Sequence, residues 1–116
     1  MNDEKGYKVA DFETISLVAC PCGSTKRAFL DDHDKTASFH IVEISKHSRK
    51  HYHKKMTEIY YVLEGEGILE LDDDEITVKE GTCIMIKPSC KHRAVGKLKL
   101  INVPIPAFDE NDEWID

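Results

Sequence analysis

The sequence has no apolar run near the roughly 20 residues that a membrane-spanning helix needs. It has no basic excess either. Sixteen Lys and Arg stand against 22 Asp and Glu, a net charge of −6, so no positive stripe is available to a nucleic acid. The opening Met-Asn-Asp-Glu-Lys-Gly lacks the basic and apolar regions of a signal peptide. A cytoplasmic protein is therefore expected, with its four cysteines as reduced thiols. Helical periodicity is almost absent, and no residues form a clear nucleophile–base pair.

The 116 residues that remain to be explained are 41% hydrophobic and 33% charged, an ordinary balance for one domain over residues 1–116 that can bury a single core. Many short apolar stretches at regular spacing predict an all-β sandwich or barrel. Alternation predicts a half-buried strand over Phe12–Ala19. Arg27–Lys35 reads as an edge strand running into an acidic loop, and Ser38–Ile44 as a clear strand with His40, Val42 and Ile44 on one face. His40 then sits on a largely apolar face as a core histidine. Gly65-Glu-Gly reads as a turn. Ile68–Leu71 and Glu75–Lys79 form a hairpin around Asp72-Asp73-Asp74, whose three carboxylates lack the alternating spacing of a calcium loop. Cys83–Ile86 and Leu98–Val103 are further strands, and Asp109 is placed to cap a helical turn near the C-terminus.

Two clusters read as ordinary surface. His33 lies among Asp31, Asp32 and Asp34 in what looks like a solvated loop, and His47 falls in the basic stretch S-K-H-S-R-K. Cys20-Pro-Cys22-Gly reads as a turn carrying incidental thiols, because zinc sites use wider spacing and a second pair.

The segment H-Y-H-K-K-M-T-E-I-Y-Y-V-L-E-G, His51 to Gly65, is different. On an extended strand His51 and His53 point to one face. Glu58 follows a short polar turn and opens a β-rich run, where parity puts Tyr60 and Val62 on its face. Two imidazoles and a carboxylate, with His92 further on, are a donor set for a divalent transition metal.

This segment resembles the first motif of the cupin family, G-x5-H-x-H-x(3,4)-E-x6-G, with His51, His53, Glu58 and Gly65 in place and Ser45 at the opening glycine. The second motif, G-x5-P-x-G-x2-H-x3-N, is similar to Gly81–Gly96. Gly81 and His92 match, while Lys87, Ser89 and Gly96 stand at the proline, glycine and asparagine positions. The tail P-A-F-D-E-N-D also follows a small-cupin pattern. The resemblance implies a jelly-roll barrel (a double-stranded β-helix) with a short C-terminal helical turn. In it His51, His53, Glu58 and His92 would converge on one ion: Fe, Mn, Ni, Zn, Co or Cu. Strand parity with Glu58 would then put Tyr60 beside the metal, and the resemblance further implies a small-molecule ligand or substrate in the barrel and a homodimer. The implied activity is that of a metal-dependent dioxygenase or of a sugar-phosphate or keto-acid isomerase, as in mannose-6-phosphate isomerase-like cupins. The alternative is a non-catalytic barrel that binds or senses a ligand.

Overall fold

The computed structural model describes residues 5–45 and 49–116; His47 and the first four residues lie outside the described residues. The described chain is all-β apart from one short 3-10 turn, Glu110–Asp112. Its strands are β1 (Val18–Cys20), β2 (Gly23–Ala28), β3 (Phe39–Ile44), β4 (His51–Tyr52) and β5 (Thr57–Leu71), then β6 (Asp74–Val78), β7 (Cys83–Ile86), β8 (His92–Ile105) and β9 (Trp114–Ile115). All pairings are antiparallel.

Two long strands organise the barrel. The first half of β5 pairs with β7 and with the second half of β8, which in turn pairs with β3. The second half of β5 pairs with β6 and with the first half of β8, which reaches β4. Each long strand thus passes from one sheet into the other, and the sheet curls into a jelly roll. The core between the layers is apolar, built from residues such as Val42, Val62, Leu69, Val78 and Leu100.

The bend lies where a turn is predicted. Gly65-Glu-Gly is not a turn: it continues β5, just past a bulge between Val62 and Glu64, opposite Leu98, Lys97 and Gly96 of β8. A Cβ on Gly65 would stand 2.4 Å from the Lys97 carbonyl oxygen, and one on Gly67 2.5 Å from that of Val95. These glycines permit close backbone approach at the bend. Gly65→Ala should therefore cost roughly 2–4 kcal/mol, through both clash and a φ of +97°, whereas Gly81→Ala, at φ +89° with open space around it, should cost only about 1–2 kcal/mol. Equal melting temperatures for the two variants would rule out the close-approach explanation.

Other expectations also shift. Only Val18 and Ala19 of the predicted Phe12–Ala19 strand fall in β1; residues 12–14 form a turn closed by the Asp11 carbonyl, which accepts from the Thr14 and Ile15 amides. The predicted edge strand at Arg27 begins earlier, at Gly23, and has neighbours on both sides. Cys20 and Cys22 are joined as a disulfide instead of lying reduced, because the tight β1–β2 turn brings their Cα atoms to 5.3 Å, within disulfide range. The Asp72–Asp74 tip, the strand at Phe39–Ile44 and the Asp109 cap, which accepts from the Asn111 amide, are as expected.

Candidate metal centre

His51 and His92 are direct register partners on β4 and β8, which brings their ring centroids to 4.3 Å. His53 lies just beyond β4. Its carbonyl accepts from the Ser89 amide at 2.6 Å, tying the histidine loop to the loop that precedes His92. Glu58 enters from the start of β5, on the same face as Tyr60 and Val62. The sequence thus separates these side chains by up to 41 residues, and the barrel brings all four to one place.

The donor atoms are arranged as a set. One ring nitrogen from each of His51, His53 and His92 lies within 4.8 Å of those of the other two. Glu58 Oε1 is 3.1 Å from His53 Nε2 and 3.0 Å from His92 Nε2. These three atoms are buried, and none has a hydrogen bond of acceptable geometry. Ligand bonds of about 2.1 Å at right angles put neighbouring donors about 3.0 Å apart, so the observed spacing fits donors around a shared ion.

Each donor's far atom is already occupied. His51 Nδ1 donates to the Arg49 carbonyl at 3.1 Å, His53 Nδ1 to the Asp112 carbonyl at 2.7 Å, and His92 Nδ1 to the Cys90 carbonyl at 2.9 Å. Glu58 Oε2 accepts from Asn102 Nδ2 at 2.7 Å. In the neutral rings the Nε2 lone pair must then face the common centre, as in metal-binding histidines. The residues present fit a divalent ion.

The four groups are also electrostatically coupled. Burial by itself would raise the Glu58 carboxyl, but the His53 and His92 rings outweigh it and hold the group well below the usual carboxylate range. Burial would lower His53, and the Glu58 carboxylate reverses this. Burial, then the neighbouring His92, lowers His51. The Tyr60 phenol is pushed well above its ordinary value by burial and then by Glu58, so it keeps its proton.

A cavity of about 310 Å³ opens onto the cluster, lined also by Arg27, His40, Tyr60 and Asn102. The Tyr60 ring lies 6.2 Å from that of His92, edge-on. His40 is buried as expected but also borders this cavity: its Nε2 and Ser38 Oγ share a hydrogen bond of 2.7 Å, and burial lowers its pKa to about 4. His33 joins no such cluster among the described residues.

Three participants escape the spacing argument. Asp112 lies in the P-A-F-D-E-N-D tail, and its carboxylate accepts from the Lys54, Lys55 and Met56 amides at 3.0, 3.0 and 3.1 Å. Asn102 interrupts the apolar inward positions Leu98 and Leu100 on β8, which is a signal that alternation could reveal. Arg27 shares the inner face with Thr25, a parity that an edge-strand reading obscures.

A jelly-roll barrel with a histidine-rich centre at its mouth defines a class of proteins. The family described as Cupin domain matches residues 38–102. The chain belongs to the cupin family.

A relative, the uncharacterised protein MJ1618 of Methanocaldococcus jannaschii, is 34% identical over 79 residues, which cover 65% of this chain and 63% of that protein. A crystal structure of a protein from Planctomyces limnophilus is 37% identical and superposes with a TM-score of 0.87, covering 94% of this chain and 96% of that one. Pac13, a nucleoside dehydratase, shares the fold at 19% identity and a TM-score of 0.76, with 97% of this chain and 95% of that chain covered.

Proposed function

We propose that this protein is a metal-dependent enzyme acting on a small molecule held in the barrel, with His51, His53, Glu58 and His92 as the metal ligands. The observation that carries this reading is the convergence of the buried, unpartnered His53 Nε2, His92 Nε2 and Glu58 Oε1 atoms beside the His51 ring, with the far side of each of the four groups anchored. Four protein donors leave one or two positions open on a five- or six-coordinate ion. The bound ion supplies Lewis-acid polarisation of a carbonyl, water activation or, with iron, oxygen activation. Asn102 fixes the Glu58 carboxylate, and protonated Tyr60 offers a donor to the ligand beside the centre. Barrels of the same fold include the nucleoside dehydratase and an ectoine synthase from P. lautus, so the architecture is compatible with catalysis.

The test is metal-reconstituted protein offered diketones, keto acids, catechols and sugar phosphates. Oxygen uptake with Fe(II) assigns a dioxygenase, and conversion without oxygen an isomerase. The second reading, a barrel that only binds its ligand, is favoured by the lack of a nucleophile beside a base among the described cavity residues; it takes over if no metal gives turnover. Lowering the pH from about 7.5 to about 5 should release the ion, because protonated imidazole cannot ligate. Metal content after dialysis at each pH checks this, and full retention at the lower pH would argue against histidine ligation.

The protein is further inferred to be cytoplasmic and to pair with a second copy. Met85, Tyr61 and Ile105 are 60%, 43% and 43% exposed on strands of one sheet, an outer face that pairing would cover. Light scattering of wild type and Met85→Lys tests the pairing.

A further inference from the structure

A second set of polar side chains crosses the inner face of the sheet beside the histidine cluster. Arg27 on β2 pairs in register with His40 on β3, His40 with Asn102 on β8, and Asn102 with Tyr60 on β5. All four line the cavity. Arg27 and Asn102 stand two strands apart, a Cα span of about 10 Å.

Two atoms of this row are buried and unpartnered: Arg27 Nε and Asn102 Oδ1. The orientation of the Asn102 amide follows from its neighbour. A carboxylate only accepts, so the NH2 group faces Glu58 Oε2 and Oδ1 is left facing away. Asn102 is only 9% exposed, so this oxygen lacks both solvent and a protein donor. Arg27 has no carboxylate within ion-pair distance among the described residues. Its guanidinium carbon instead lies 5.0 Å from the Phe108 ring centroid. His40 stands between Arg27 and Asn102 in the row, with its Nε2 hydrogen-bonded to Ser38 Oγ.

A guanidinium facing a mainly apolar cavity without a counter-ion leaves a charge uncompensated, and a buried amide oxygen without a donor is costly as well. One ligand can complete both. A carboxylate matches the planar donor fork of arginine, and a hydroxyl supplies the proton that Asn102 Oδ1 needs.

We propose that the cavity binds a small hydroxycarboxylic acid, with its carboxylate on Arg27 and its hydroxyl donating to Asn102 Oδ1. This rests on the reading of the cavity as a small-molecule site and deepens it. Because Asn102 also holds Glu58, the hydroxyl end lies next to the histidine–glutamate cluster and the carboxylate end is remote from it. Arg27 is then the residue that selects for acids.

The test is calorimetry on both chelator-treated and metal-loaded protein, with γ-hydroxybutyrate, butyrate, butanediol and inorganic phosphate as probes. In wild type the hydroxy acid should bind about tenfold more tightly than butyrate, and the diol far more weakly. Arg27→Gln should weaken the hydroxy acid at least about tenfold, with Arg27→Lys intermediate, while the metal content and melting temperature of Arg27→Lys stay at the wild-type level. The proposal is overturned if Arg27→Gln and Arg27→Lys both bind the hydroxy acid as wild type does. It is equally overturned if phosphate binds and no acid does, or if no acid binds wild type. Failure of the metal reading shows separately, as wild-type protein that retains no ion while the chelator-treated arm still reports acid binding.

Discussion

His53→Ala should lower metal affinity by roughly 100-fold or more, leaving the purified protein with little bound ion. The ring is buried, its Nδ1 is held by the Asp112 carbonyl, and its Nε2 faces Glu58 Oε1 at 3.1 Å, so no other side chain can take its place. His92→Ala should behave in the same way, since His92 Nε2 faces the same oxygen at 3.0 Å. His33→Ala should leave metal content unchanged. The measurement is elemental analysis of metal per chain, with melting curves in chelator to separate loss of ligation from loss of fold. Equal metal loss at His33 would sink the proposed ligand set.

The second large effect is expected at Asp112, far from the histidines in sequence. Its carboxylate gathers three consecutive amides, from Lys54, Lys55 and Met56, and so shapes the loop between the paired histidines and Glu58. Asp112→Ala leaves those donors without their acceptor and should cost roughly 3–5 kcal/mol, read by chemical denaturation. Metal affinity should fall as well, about 10- to 100-fold, because without the carboxylate's three bonds the segment is loosened and its backbone carbonyl no longer holds the His53 ring in place. Asp112→Asn, which keeps the shape but not the charge, should lie between. Burial raises the Asp112 carboxyl, but the three amides outweigh it and the net shift is downward from 3.8. A depressed folded-state pKa means that the stabilisation is complete above the unfolded value and is lost as pH falls through the folded one. The stability gap between wild type and Asp112→Asn should therefore be widest near neutrality and close in acid. A gap that widens as pH falls would contradict this assignment.

Much of the site was legible because its signals are local. A two-residue period puts His51 and His53 on one face, and the same period carries Glu58, Tyr60 and Val62 together, since the β5 bulge comes only after Val62. The bend was not legible. Gly65 and Gly67 look like turn residues, and only the approach of the Lys97 and Val95 carbonyls reveals why they are glycine. The Cys20–Cys22 bridge was likewise hidden: Cys20-Pro-Cys22-Gly reads as a turn in sequence, but only the paired β1 and β2 show that this turn brings the two Cα atoms to 5.3 Å.

By itself the sequence determined the all-β character and the strands around the hairpin at Asp72–Asp73, because alternation along a strand is dictated within a few residues, and it offered four candidate donors by residue type and spacing. Only the tertiary structure decided which atoms of those donors stay free, through carbonyls supplied by Arg49, Cys90 and Asp112 and the amide of Asn102. It also decided that Arg27, His40, Asn102 and Tyr60 share one row. Cross-strand register joins residues up to 75 positions apart, and no local pattern encodes such a meeting.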